Sequence, residues 1–108
     1  MDLYLDHILI GVRDLSEAAR SYNKLGFKVT PEGKHPGRGT HNRLVVFGPE
    51  YLELISIHDS SQGLFRPNLA SFLESREGLF IFAMGTTDIS SIFAEMQTRG
   101  VAAKTPVA

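Results

Sequence analysis

The sequence predicts an α+β fold, in which a strand–helix–strand–strand–strand (βαβββ) module is followed by an incomplete second copy. Two observations predict it. One is the order of apolar patterns along residues 1–58, and the other is a return of the same strand–helix pattern 74 residues later. We therefore expect a first module at 1–58, a connecting loop and short helix at 59–78, and a partial second module at 79–108. The three parts are expected to form a single compact domain.

The first module opens with an apolar segment at 3–12, which is typical of a strand buried on both faces. Asp14 is placed to accept hydrogen bonds from the first free amides of a helix, and Glu17 occupies the reciprocal capping-box position. Apolar residues at helical spacing extend this helix to Leu25, and Gly26 is a typical stop. Three strands are predicted after it, at 27–30, 43–47 and 51–57, with a turn at 48–50.

The second copy is predicted from its match to the first. A connecting helix is expected at 65–77, followed by an apolar strand at 79–85 and a helix at 88–99. Gly85 and Asp88 occupy the positions that Gly11 and Asp14 hold in the first copy, and a shared glycine, cap and helix face indicate a duplicated fold. At most one further short strand, near 101–105, is expected.

Composition excludes several classes of function. The chain has 43% hydrophobic and 21% charged residues, a balance typical of globular proteins. Its net charge of −1 argues against a nucleic-acid partner. Without an apolar run long enough to span a bilayer, no membrane partner is expected. The absence of cysteine excludes disulfides and thiol nucleophiles and, together with the lack of a signal-peptide pattern, suits a cytoplasmic location.

Two residues on predicted central strands are candidates for catalysis. His7 lies among apolar residues of the first strand. Glu53 shares one face of the module's last strand with Tyr51 and Ile55. Imidazole nitrogen and carboxylate oxygen suit a divalent metal such as Zn, Ni, Mn or Fe. Without a metal, the pair suits a general base and the carboxylate that orients it. The residues alone leave open a packed histidine and a glutamate on a solvated face.

A glycine- and proline-rich segment at 31–42 predicts a loop. Residues 24–43 carry five basic side chains against one acidic side chain, which favours an anionic ligand at the rim of a binding site. An ordinary solvated loop is the alternative. The candidate substrate-binding residues in and beside this loop are Arg38, His41, Asn42 and Arg43.

Several motifs resemble the vicinal oxygen chelate superfamily, whose members are built from paired βαβββ modules. They are Leu5-Asp-His-Ile-Leu-Ile-Gly-Val-Arg-Asp-Leu, the helix that ends in Leu25-Gly-Phe, and Tyr51-Leu-Glu-Leu-Ile. With Gly39-Thr-His-Asn-Arg-Leu, they resemble most closely the glyoxalase-like domain branch. This fold is shared by glyoxalase, bleomycin-resistance proteins and extradiol dioxygenases.

The resemblance implies a divalent metal in a cup between two modules. Each complete module supplies one ligand from its first strand and one from its last. His7 and Glu53 match these two positions in the first module. In the second copy, Ile81 matches the position of His7 and cannot bind a metal, and the counterpart of Glu53 falls past Ala108.

Two functional hypotheses follow from the resemblance and the residues. The first is a glyoxalase-like small-molecule enzyme of the lyase, isomerase or dioxygenase type, with His7 and Glu53 at the reacting centre. The second is a non-catalytic protein that binds and sequesters an aromatic or anionic small molecule, of the bleomycin-resistance type. A homodimer is also expected, because the apolar strand at 79–85 needs cover on its faces and its edge.

Overall fold

The computed structural model describes residues 1–64 and 66–107, and it confirms the predicted α+β fold class. Five strands and three helices occur in these residues, and the first five elements form a βαβββ module. In chain order they are β1 (Tyr4–Gly11), α1 (Leu15–Lys24), β2 (Gly33–Lys34), β3 (Thr40–Val46), β4 (Tyr51–Ile57), α2 (Pro67–Ser75), β5 (Gly78–Gly85) and α3 (Ile89–Thr98).

All five strands belong to one mixed sheet, with the order β2-β3-β4-β1-β5. The first and last strands of the module, β1 and β4, are parallel neighbours, and Leu9 lies opposite Glu53. β3 pairs with β4 in the antiparallel direction, with Leu44 opposite Glu53. This order places β4 between β1 and β3, so a side chain on β4 can contact both neighbours.

Helix α1 covers one side of the sheet, which we call the α1 face. Val12, Leu15 and Leu54 form a buried cluster there. The helix begins where the sequence predicts, because the carboxylate of Asp14 accepts a hydrogen bond from the backbone N–H of Glu17 at 3.0 Å. That bond satisfies one of the free amides of the first turn.

The opposite side of the sheet, which we call the His7 face, carries His7 and Leu9 of β1 and Glu53 and Ile55 of β4. Helix α2 covers one end of this face, where Leu9 and Ile55 are completely buried against Leu69 and Phe72. Gly11 allows the close approach, because a Cβ atom at this position would lie 3.0 Å from the Phe72 ring. α2 therefore leaves the end of β1 near His7 uncovered.

The sheet differs from the prediction between α1 and β3. Instead of a strand at 27–30 there is an isolated bridge between Val29 and Val45, and β2 forms at 33–34, inside the predicted loop. Thr30 donates its N–H to the Leu44 carbonyl at 2.9 Å, and its hydroxyl accepts from the Leu44 N–H at 2.8 Å. Pro31 has no N–H to continue the ladder, so the chain pairs again only at Gly33.

The connecting helix and the chain end also differ from expectation. Residue 65, the predicted first residue of the connecting helix, lies outside the described residues, and α2 begins at Pro67 and ends at Ser75. No strand forms in the described residues 101–107, where one short strand was expected. The predicted segment boundaries at 58 and 78 stay a prediction.

The chain divides into two compact units. One consists of residues 6–83 and contains both buried clusters and most of the sheet. The other consists of residues 1–5 with 84–108. Within it Thr87 donates its backbone N–H to Asp2 at 3.1 Å, and Asp88 caps α3 by accepting from the Ser91 N–H at 3.1 Å. None of the helices in the described residues has the length and hydropathy needed to cross a membrane.

Candidate functional site

The candidate site lies where β1 and β4 run side by side on the His7 face. In this parallel pair His7 is opposite Tyr51, and Glu53 comes two residues later on the same face of β4. The side chain of His7 is 14% exposed and that of Glu53 is 10% exposed. The pairing of first and last strands therefore brings together two residues that are 46 positions apart in the chain.

His7 has a fixed ring orientation. Its Nδ1 lies 2.7 Å from Oδ2 of Asp6, and because an ionised carboxylate only accepts, Nδ1 carries the donated proton. The ring also stacks on Tyr51, with centroids 4.6 Å apart and an angle of 4° between the planes. These two contacts turn Nε2 toward Glu53, whose Oε1 is 3.6 Å away.

The two carboxylate oxygens of Glu53 contact side chains on different neighbouring strands. Oε1 faces His7 on β1, and Oε2 accepts a hydrogen bond from the side-chain amide of Asn42 on β3 at 3.0 Å. The residue as a whole is only 8% exposed. A carboxylate that is removed from water needs such partners, so the bond to Asn42 is part of what allows Glu53 to lie there.

Tyr51 contributes a neutral ring to the site. Burial raises the pKa of its phenol above the ordinary value, and the negative charges of Glu53 and Asp6 raise this pKa further. Tyr51 therefore stays protonated at neutral pH. It packs against His7 as an uncharged aromatic surface and does not compete with His7 as a base.

The arrangement can transfer a proton. Because Asp6 holds the proton on Nδ1, the neutral ring has a free electron pair on Nε2. When Nε2 accepts a proton, the resulting imidazolium lies between the carboxylates of Asp6 and Glu53, both of which stabilise its charge. A histidine with these neighbours has the features of a general base that can return the proton it removes.

Of the four predicted substrate-binding residues, the structure brings only Asn42 to the pair. His41 and Arg43 point to the α1 face, because side chains alternate along β3. His41 is 2.6 Å from the carboxylate of Glu32, and Arg43 donates to the Thr30 carbonyl at 3.2 Å. The sequence pattern missed this separation because it took residues 31–42 as a loop, whereas β3 begins at Thr40.

Arg38 lies outside the pair as well. It is an exposed residue in the turn between β2 and β3, where its N–H donates to the His35 carbonyl at 2.9 Å. Two residues that sequence reasoning missed, Asp6 and Tyr51, contact His7 directly. The signals were present, since Asp6 precedes His7 in the first-strand motif and Tyr51 shares a face with Glu53.

The donors present do not by themselves make a metal site. His7 and Glu53 converge from the first module as the resemblance implies, but one oxygen of Glu53 is taken by Asn42. Within the described residues, no group of three or more His, Asp or Glu side chains comes together in a way that could hold a metal. A catalytic metal site usually has about three protein ligands.

The second-copy strand supplies no further ligand on this face. Phe80 of β5 packs against the cluster that contains Leu9, so it belongs to the His7 face. By alternation Phe82 shares that face and Ile81 points to the other side. Ile81, which matches His7 in the repeat, therefore does not share the face of His7, and its neighbours Phe80 and Phe82 do not bind a metal either.

Comparison with known families agrees with this fold. The model of the glyoxalase-like domain family matches residues 5–108, which is nearly the whole chain. No curated protein is significantly similar to the chain in sequence. Solved structures do match, and they include enzymes of assigned function.

A hypothetical protein from Bacillus halodurans is 24% identical, with a TM-score of 0.74 over 93% of this chain and 70% of its own. Methylmalonyl-CoA epimerase from Streptomyces coelicolor, in complex with 2-nitronate-propionyl-CoA, is 23% identical, with a TM-score of 0.72 over 94% of this chain and 73% of its own. The epimerase from Mycobacterium tuberculosis is 25% identical, with a TM-score of 0.68 over 89% of this chain and 63% of its own. Together with the family match, they show that the chain belongs to the glyoxalase-like domain family of the vicinal oxygen chelate superfamily.

Proposed function

We propose that this chain is a small-molecule enzyme of the isomerase type, which removes a proton from a carbon next to a carbonyl group and returns it. The observation that supports this most is the partly buried pair of His7 Nε2 and Glu53 Oε1, 3.6 Å apart, with Nδ1 of His7 held by Asp6 at 2.7 Å. The similarity to methylmalonyl-CoA epimerases supports an isomerase over the lyase and dioxygenase alternatives. A dioxygenase would also need a metal with more protein ligands than this face supplies.

In the proposed reaction Nε2 of His7 forms a bond to the proton as the C–H bond of the substrate breaks, and the electron pair moves into the carbonyl group to give an enolate. The imidazolium is stabilised by Asp6 and Glu53 and gives the proton back in the second step. His7 and Glu53 lie on one face of one sheet, so they reach the substrate from the same side. For a 2-hydroxy ketone, the proton of the 2-hydroxyl moves to the enolate oxygen. The imidazolium then returns its proton on that side to the former carbonyl carbon, which gives the isomeric 2-hydroxy carbonyl compound.

A non-catalytic binding protein is the second candidate. It is supported by the small number of metal donors on the His7 face. In that case Tyr51 and His7 would form an aromatic surface for a ligand, and Glu53 would supply a fixed acceptor or charge.

The two candidates are separated by deuterium uptake. The purified protein is incubated in D2O with a panel of 2-substituted acyl thioesters and 2-hydroxy ketones, and mass spectrometry measures incorporation at the acidic carbon. We expect uptake that falls at least about a hundredfold in His7→Ala, since general bases contribute on the order of 10²–10⁴-fold. His58→Ala is the matched control, because His58 is exposed after β4. Binding of a panel member without any uptake would favour the sequestering protein.

We also propose that the chain forms a homodimer through β5. This strand lies at the edge of the sheet and its side chains Leu79, Phe82 and Met84 are 64%, 61% and 48% exposed. Covering a few hundred Å² of such surface is worth on the order of 5–10 kcal/mol. Sedimentation at micromolar concentration should show a dimer that Phe82→Asp dissociates and that Leu25→Asp, at an exposed apolar site away from β5, does not. A wild-type monomer would contradict this proposal.

A cytoplasmic location and an anionic substrate belong to the same proposal. The location is supported by the lack of cysteine. The anionic substrate rests on the basic residues of 24–43, of which Lys24, Lys28 and Lys34 are exposed.

A further inference from the structure

The side-chain amide of Asn42 lies in a confined position between two strands. Its Nδ2 donates to Oε2 of Glu53 at 3.0 Å. On the other side, Asn42 is paired with Gly33 of β2, where an added Cβ atom would lie only 2.7 Å from Oδ1 of Asn42. The amide oxygen therefore fills the space that a side chain at residue 33 would take.

The backbone conformation at residue 33 does not require a glycine. Its φ lies outside the left-handed region, so any residue could adopt its conformation. What the position requires is space next to Asn42, and this requirement couples β2 to a buried carboxylate two strands away. A glycine in a strand interior is otherwise unfavourable, and it often marks a close approach of another group.

We propose that Asn42 is a positioning residue for Glu53 and that Gly33 leaves the space that Asn42 needs to take this position. With its oxygen over Gly33, the amide presents its N–H2 group to Oε2, which leaves Oε1 as the oxygen that faces His7. Leu44, the direct cross-strand neighbour of Glu53, is apolar and cannot do this. Asn42 reaches Glu53 along the diagonal from its own partner Ile55, a distance that a side chain of this length spans.

The proposal is tested by a double-mutant cycle with Gly33→Ala and Asn42→Ala, and Gly63→Ala is the control because a Cβ atom at residue 63 meets nothing within 4 Å. The first readout is NMR of the Asn42 side-chain amide. We expect one strongly shifted, slowly exchanging proton in the wild type and in Gly63→Ala, and its loss in Gly33→Ala. An unchanged Asn42 signal in Gly33→Ala would overturn the proposal. This readout needs no substrate, so it stands even if the proposed isomerase activity fails.

The second readout is the rate of deuterium uptake, and it rests on the proposed function. Each single substitution should lower kcat on the order of tenfold with KM nearly unchanged, because a misplaced catalytic group affects the chemical step. The double variant should be no slower than Asn42→Ala alone, since Gly33 acts only through Asn42. Additive losses would overturn the coupling. If Gly33→Ala does not fold, Asn42→Ala with a crystal structure decides: Glu53 that keeps its place would refute the proposal.

Discussion

The two strand–helix repeats of this chain are built by the same local rules and carry different chemistry. In each, an aspartate caps the helix, Asp14 for α1 and Asp88 for α3. In each, a glycine with positive φ follows the helix, Gly26 at 102° and Gly100 at 74°. Yet β1 carries a partly buried histidine beside a glutamate, whereas β5 carries only apolar side chains.

The difference comes from the neighbours of each strand. β1 lies inside the sheet, where β4 supplies Glu53 and Tyr51 to the side chain of His7. β5 lies at the edge and has β1 as its one neighbour within the described sheet. The repeated local pattern therefore sets where strands and helices begin and end. The chemistry that a strand can support depends on which side chains its neighbouring strand supplies.

The largest expected contrast concerns stability. Leu9 of β1 is completely buried, so Leu9→Ala should lower the free energy of unfolding by about 2–5 kcal/mol at every protein concentration. Phe82 of β5 is 61% exposed, so Phe82→Ala should reduce only the part of the stability that depends on protein concentration. Urea unfolding at two concentrations measures both. A concentration-independent loss of similar size in the two variants would show that β5 is part of the core.

A smaller effect is expected at the helix caps, where the two copies should behave alike. Asp14→Ala removes the bond from the Glu17 N–H and should cost about 1 kcal/mol. Asp88→Ala removes the bond from the Ser91 N–H, and we expect a loss of the same order. Thermal unfolding followed by circular dichroism measures both. If only one substitution destabilises the protein, the shared cap pattern does not have the same role in the two copies.

The cap of α3 should also give the stability a dependence on pH. The hydrogen bond from the Ser91 backbone, and then that from the Ser91 hydroxyl, hold the pKa of Asp88 below its ordinary value of 3.8. Since the pKa is lower in the folded state, the contribution is complete above pH 3.8 and is lost as the pH falls through the folded pKa. Asp88→Asn should flatten this part of the profile between pH 5 and 2. A slope equal to that of the wild type would contradict the assignment.

The smallest expected effect is that of added metal. With two donors on the His7 face and phenylalanine on β5, Zn, Ni or Mn should change Tm by no more than about 1 °C, and gel-filtered protein should retain less than one equivalent. Metal analysis by mass spectrometry measures the content. One tightly bound ion per chain that Glu53→Gln abolishes would show that the site is completed by residues beyond this pair.

Much of the fold was predictable because it depends on local patterns. The Asp14 cap follows from an aspartate placed before an apolar helical pattern, and the strand at 51–57 with the shared face of Tyr51 and Glu53 follows from a spacing of two residues. The sequence did not predict β2, because Pro31 and the side chain of Thr30 shift the pairing to Gly33. The sequence pattern also grouped His41 and Arg43 with Asn42 as substrate contacts. It could not separate them, because the register of strand pairing decides which side chains share a face.

The central claim, that His7 transfers the proton while Asp6 and Glu53 stabilise its charged form, is tested most directly by chemical rescue. Deuterium uptake by the best substrate of the panel is measured for the wild type and for His7→Gly, with and without added imidazole. The account predicts that uptake is lost in His7→Gly and partly restored by imidazole, which can occupy the space beside Tyr51. Uptake by His7→Gly at the wild-type rate without imidazole would contradict it.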